Sequence, residues 1–252
     1  MKKTFLEYEK PLLTVILQCR TPEVAIGRIR KSLELGGEAF GLQTECLLPE
    51  YRNPETYKRI FAEMQDKPIY VTNYRRPKDN PPSDEEIAEG LLTLADCGAT
   101  LCDVMGDLYC KHPEELTDDP VAIEKQMRLI DELHKRGAEV LMSSHVLKFT
   151  PAERVLEIAL EQQRRGADVV KIVTGAANME EQLENLRIAH LLKENLKVPY
   201  LYLSGGECKI LRRIGGNLGC CMYLCVYEHD ELSTSAQPLL TKVKAIRDNM
   251  EW

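Results

Sequence analysis

The chain has 252 residues, 44% of them hydrophobic, and a formal net charge of −7 with a pI of about 5.4. That length suits one large domain or two small ones, and the acidic balance offers no basic face of the kind a nucleic-acid binder presents. No apolar run approaches the ~20 residues of a membrane span, and charges stand near the N-terminus where a signal peptide has its apolar core, so a soluble cytoplasmic protein is expected.

Short apolar, β-branched runs alternate with longer amphipathic stretches. The first run covers 12–18; Thr21 and Pro22 then read as a helix N-cap followed by proline at the first helical position, and Gly36 and Gly37 end that helix. A second run, 39–45, precedes a helix near 54–64, and a third covers 68–74. Three prolines make 75–82 a loop, and Ser83 followed by Asp84, Glu85 and Glu86 opens a helix with an N-cap and an acidic first turn. The fourth run is 100–105; a long polar connection leads to a helix near 120–135, ended before Gly137. Run five is 139–144, with a helix from near Pro151 to Gly166. Run six is 168–174, followed by a helix near 179–195. Run seven is 199–204 with a short helix near 209–215, and run eight is 221–227 with a last helix near 237–249.

Eight strand–helix units in this length match a (β/α)8 TIM barrel. Continuous apolar strands between helices also fit a parallel sheet covered on its outer face. A doubly wound open sheet is the alternative, but no GxGxxG follows the first strand. No linker divides the chain, so 1–252 reads as a single barrel domain. The nine cysteines show no CxxC or paired Cys/His spacing of a zinc site and read as reduced thiols. No metal is expected.

In a barrel, function sits where the strands lead into their helices. His145 ends strand five and Lys171 lies inside strand six. A lysine in an apolar strand is either paired with a carboxylate or kept as a neutral amine, because burial disfavours an unpaired ammonium. A neutral amine beside a histidine is equipment for imine chemistry on a ketone, with the histidine as general base and acid. Alternatively, His145 is a barrel-end histidine satisfied by backbone. Arg212, after strand seven, is shaped to hold a substrate carboxylate, or belongs to a surface pair with Arg213. The polar stretch 228–237, with Ser233 and Gln237, reads as a lid or as an ordinary exposed loop.

These residues together resemble the type I 3-dehydroquinate dehydratases. That family carries a serine–x–His segment leading to Thr-Pro, matched by Ser143, His145, Thr150 and Pro151, and a Gly-Ala-Asp-x-x-Lys-Ile strand, matched from Gly166 to Ile172. Gly205 and Arg212 fit the glycine and the carboxylate-holding arginine after strand seven; Ser233 and Gln237 fit the lid, with Ser235 a rival to Ser233. The resemblance implies a lyase that dehydrates 3-dehydroquinate through a Lys171 imine, with His145 as the proton-transfer group. It also implies a small keto acid as substrate, no cofactor, and a homodimer.

The departures cluster in the recognition shell. Gly41 and Gln43 stand where the family has Glu-x-Arg on strand two, with Glu45 two positions on. Thr72, Asn73 and Tyr74 stand where it has Thr-x-Arg, with Arg75 and Arg76 following. Asp103 and Met105 replace Asp-x-Glu, and the lid lacks the Ala-Pro-Gly turn. Gln43 and Arg75 are therefore candidate substrate-binding groups, and Asp79 is the nearest candidate for the carboxylate that supports His145. An imine-forming dehydratase or aldolase for another hydroxylated keto acid, or a non-catalytic metabolite-binding descendant, stands as the alternative.

Overall fold

A computed structural model describes residues 3–77 and 80–250. Eight parallel strands alternate with helices along the chain. They are β1 (Leu12–Leu17), α1 (Pro22–Glu34), β2 (Ala39–Gln43), α2 (Pro54–Glu63), β3 (Ile69–Thr72), α3 (Asp84–Asp96), β4 (Leu101–Met105) and α4 (Pro120–Lys135). The second half continues with β5 (Glu139–His145), α5 (Ala152–Arg164), β6 (Val169–Ala176), α6 (Met179–Asn195), β7 (Tyr200–Gly206), α7 (Leu211–Ile214), β8 (Met222–Cys225) and α8 (Leu240–Asn249). Each strand from β1 to β6 pairs with the next, and β8 pairs with β1. At the seam between β7 and β8, the Cys221 amide donates to the Tyr200 carbonyl at 2.9 Å. The result is a nearly closed (β/α)8 barrel.

Local chemistry sets these boundaries. Asn53 and Asp119 accept from Thr56 and Ala122 at 3.0 and 2.7 Å, capping the starts of α2 and α4, which both have proline in the first turn. Ser83 and Glu86 form a reciprocal capping box on α3. Gly137 and Gly166 take positive φ just beyond α4 and α5, where a side chain would be strained. The strands are buried over nearly their full length because helices cover the outside of the barrel. Each fully buried Leu or Ile there contributes about 1.5–3 kcal/mol.

Several boundaries differ from expectation by a few residues, and two of them have a clear cause. The second strand ends at Gln43, because Thr44–Cys46 turns into a 3-10 helix. The last helix begins at Leu240 rather than near Gln237. Pro238 disfavours a helical backbone at the residue before it, and Leu239 instead forms a parallel bridge with Val226. Among the described residues, no helix is long and apolar enough to cross a membrane. All nine cysteines are free thiols.

Candidate active site

Lys171 lies in the middle of β6, and only 4% of it is exposed. Strand pairing sets it opposite Ser143 on β5, and Ser143 in turn opposite Met105 on β4. The amine Nζ donates to Asp103 Oδ2 at 3.0 Å, to the Tyr70 hydroxyl at 3.0 Å and to the Tyr74 hydroxyl at 2.9 Å. Tyr70 and Thr72 belong to β3, and Tyr74 follows two residues beyond its end. Residues 70, 72 and 74 keep the two-residue period that gives side chains one face of a strand.

Asp103 is the hub of this cluster. Its Oδ2 also accepts from both phenols, Tyr70 and Tyr74, while Oδ1 accepts from Ser143 Oγ at 2.5 Å. Burial pushes the carboxyl up, but the Lys171 charge, then the His145 charge and the hydroxyl hydrogen bonds, outweigh it and hold it below the usual carboxylate range. Burial and then the Asp103 charge push both phenols well above their ordinary value, so they stay protonated as donors. The pairing answers the open question about a buried lysine: it has a carboxylate partner. A buried pair of this kind is strongly destabilised when one member is removed, because the other charge is left uncompensated.

His145 closes β5. Its Nδ1 lies 2.7 Å from Glu115 Oε2, and its backbone amide donates to the same oxygen at 2.8 Å. A ring nitrogen facing a carboxylate carries the proton, which assigns the free lone pair to Nε2. The imidazole meets the Tyr74 ring edge to face, with centroids 5.5 Å apart. Tyr74 thus stands between the amine and the imidazole, touching both.

Glu115 reaches this position through the long connection between β4 and α4. Its own φ is +45°, and its carbonyl accepts from Ser144 Oγ at 2.7 Å. Gly106 makes the approach possible, since a Cβ there would lie 2.4 Å from the Glu115 carbonyl oxygen. The buried Arg165 guanidinium pins the same connection by donating to the carbonyls of Gly106 and Thr117 at 3.0 and 2.6 Å. The carboxylate beside the histidine is therefore Glu115; the earlier candidate Asp79 lies outside the described residues.

The remaining candidates make their hydrogen bonds and ion pairs elsewhere. Arg212 is half-buried, and its Nε donates to the Ser204 carbonyl at 2.9 Å. Burial pulls its guanidinium down to about 10. Among the described residues it forms no ion pair. Ser233 is engaged with its own loop, where its Oγ accepts from the Asp230 amide at 2.8 Å. Gln237 is buried and accepts from the Thr234 amide at 3.0 Å. Gln43 accepts from Gln18 Nε2 at 2.8 Å. Arg75 is clamped by Asp84 at 2.7 Å and Asp107 at 2.8 Å. None of these five donates to or accepts from the Lys171 cluster.

Sequence reasoning passed over Tyr70, Glu115 and the centrality of Asp103. Asp103 carried the same signal as Lys171, a charge inside an apolar run. Tyr70 and Tyr74 were legible as two phenols on one strand face. Glu115 sits in a polar connection with no local mark.

A parallel (β/α)8 barrel with a carboxylate-paired lysine on one strand and a histidine–glutamate pair closing the next defines the class of protein. The model of the type I 3-dehydroquinase family matches residues 13–249, and the chain belongs to that family. A stretch of 106 residues, 41% of this chain and 40% of the relative, is 33% identical to the 3-dehydroquinate dehydratase of Alkaliphilus oremlandii. The Geobacillus thermodenitrificans enzyme is 24% identical over 106 residues, again 41% of each chain. The matched stretch thus spans about two fifths of these curated relatives. Among solved structures, the 3-dehydroquinate dehydratase of Geobacillus kaustophilus superposes with a TM-score of 0.81 at 14% identity, covering 95% of this chain and 91% of that one. The type I enzyme from Clostridium difficile gives a TM-score of 0.79 at 15% identity, covering 96% and 92%. At those identities the likeness is one of fold.

Proposed function

We propose that this protein is a lyase of the 3-dehydroquinate dehydratase type, converting 3-dehydroquinate to 3-dehydroshikimate through an imine on Lys171. The observation that carries this reading is the placement of an enclosed amine and a carboxylate-oriented imidazole on adjacent strands, both touching Tyr74. Lys171 condenses with the ring ketone, and the protonated imine acts as an electron sink that acidifies the neighbouring carbon. His145, oriented by Glu115, removes a proton from that carbon and returns it to the departing hydroxyl. Water then releases the enone. Arg212, a cation with no acidic partner among the described residues, holds the substrate carboxylate, with Ser233 and Gln237 closing from the lid. The protein works without a cofactor, as a homodimer in the cytoplasm, in keeping with the family resemblance.

Borohydride added to protein and dehydroquinate is expected to leave a stable mass adduct on Lys171, and turnover is expected to raise the enone absorbance. Absence of both rules out this assignment.

One observation favours a second reading, in which the same imine serves a different hydroxylated keto acid. A Cβ at Gly41 would lie 2.5 Å from Ile16 Cδ1 and 2.8 Å from Tyr70 Cδ1. The Tyr70 ring and Ile16 therefore crowd the position where the resembling family carries a glutamate. A borohydride screen across hydroxylated keto acids separates the two readings by which compound forms the adduct.

A further inference from the structure

Imine formation at a lysine moves protons in two directions. The ammonium loses one before its nitrogen can attack a carbonyl. The carbinolamine oxygen gains one before it leaves as water. Both tasks fall to groups within reach of Nζ. Here Asp103 Oδ2 lies at 3.0 Å from Nζ and the Tyr74 hydroxyl at 2.9 Å, and the two are joined to each other at 2.5 Å. The imidazole of His145 is turned to Glu115 instead.

The two phenols on Nζ are not equivalent. Tyr70 is 1% exposed, lies within β3 and packs beside Gly41. Tyr74 lies beyond the C-terminal end of β3, is half-buried and has the His145 ring at its edge. Of the two, Tyr74 is the one at the mouth, where a carbonyl arrives.

We propose that Tyr74 is a catalytic acid for imine formation at Lys171, supplied with its proton by Asp103. The assignment rests on the imine reading above. Asp103 takes the first proton from the ammonium. The freed nitrogen pair forms the C–N bond as the carbonyl π pair moves to oxygen, and a second nitrogen proton passes to that oxygen. Tyr74 then gives its proton to the carbinolamine oxygen and is recharged from Asp103. The C–O bond breaks, water departs, and the nitrogen pair closes the C=N bond. Of the three ammonium protons, one stays on the iminium nitrogen and two leave in the water; Asp103 and Tyr74 end as they began. The resting states fit these roles, since Tyr74 is held protonated and Asp103 ionised.

The test uses the full chain and acetylacetone, a diketone that gives a near-ultraviolet enaminone with a reactive lysine. Peptide mass mapping locates the label on Lys171. Tyr74→Phe is expected to slow labelling by about tenfold or more, in line with general acid catalysis, whereas Tyr70→Phe, which leaves the phenol at the mouth in place, slows it much less. Labelling of Tyr74→Phe at the wild-type rate, or slowing of Tyr70→Phe to the same degree, overturns the proposal. Should Tyr74→Phe fail to fold by circular dichroism, the Tyr70→Phe rate decides: labelling within about threefold of wild type supports the phenol at the mouth as the acid, and a slowing of about tenfold or more overturns it. Dehydroquinate trapping addresses the parent reading separately. Its failure beside successful acetylacetone labelling removes that substrate while the Tyr74 rates still decide this proposal; no label on Lys171 from either compound overturns both.

Discussion

From β3 to β6 the barrel mouth is filled with polar groups that satisfy one another. Two phenols, a serine and the amine converge on Asp103, and Glu115 holds His145 from a connection pinned by Arg165. Around β7 and β8 the arrangement differs. Among the described residues the Arg212 side chain bonds only a carbonyl, and the loop after β8 folds onto itself and onto Arg28 through Asp230 at 2.6 Å. Groups that move protons gain from being placed before substrate arrives, because no reorganisation is then needed during the reaction. Groups that recognise an anion are better left for the anion to complete. On the proposed reading, the half of the mouth from β3 to β6 serves chemistry and the half around β7 and β8 serves capture.

The sharpest way to break the chemical half is Lys171→Ala. It is expected to abolish borohydride adduct and turnover, and to destabilise the fold by about 3–5 kcal/mol by leaving Asp103 charged and unpaired, measured by urea unfolding. Adding Asp103→Asn should restore part of that stability and none of the activity. Next comes Glu115→Gln, which keeps the shape but removes the orienting charge. A loss in kcat of up to about a hundredfold is expected, with KM nearly unchanged and the fold intact in a thermal melt. An unchanged kcat would remove Glu115 from the catalytic account.

The capture half is tested by Arg212→Ala. Loss of a charge-assisted hydrogen bond worth about 1.5–3 kcal/mol is expected to raise KM by one to two orders of magnitude. Stability should change little, because no ion pair of Arg212 is broken. Below this in size is Gly41→Ala, which forces a methyl against Ile16 and Tyr70. Overpacking of that kind costs about 1–3 kcal/mol, read as a fall in the urea midpoint.

The smallest effect concerns pH. Burial raises the Glu45 carboxyl despite its hydrogen bond from Thr72 at 2.9 Å. A raised folded value means its favourable contribution is complete below the ordinary glutamate range, about 4.3, and fades as pH climbs through the folded value. Glu45→Gln should therefore be slightly more stable than wild type at neutral pH, with the difference vanishing in acid. Asp103 behaves oppositely: its contribution is present above the ordinary aspartate value of about 3.9 and is lost as pH falls through its lowered folded value.

Most of the architecture was legible because the strand–helix alternation repeats eight times, with caps and glycine stops marking several of the boundaries. The proposed reactive pair stood out because Lys171 interrupts an apolar strand and His145 closes one. Arg75 shows the limit of such reading. Its position near the end of a strand suggested a substrate contact, yet Asp84 and Asp107, from two other segments, take up its guanidinium. Glu115 shows another: its approach depends on Gly106 lacking a side chain, a relation between two loop positions that no local pattern records. Ser233 and Gln237 keep a suggestive spacing, but Pro238 delays the helix and leaves both bonded within their own turn.

The contact between Gly41 and Tyr70 also bears on how this sequence can change. A residue with any side chain at 41 is obstructed while the tyrosine ring remains, and a smaller residue at 70 leaves a void and removes a donor from Asp103. Each single step leads through a weaker protein. The two positions are therefore coupled, and a change at one is expected to require a change at the other.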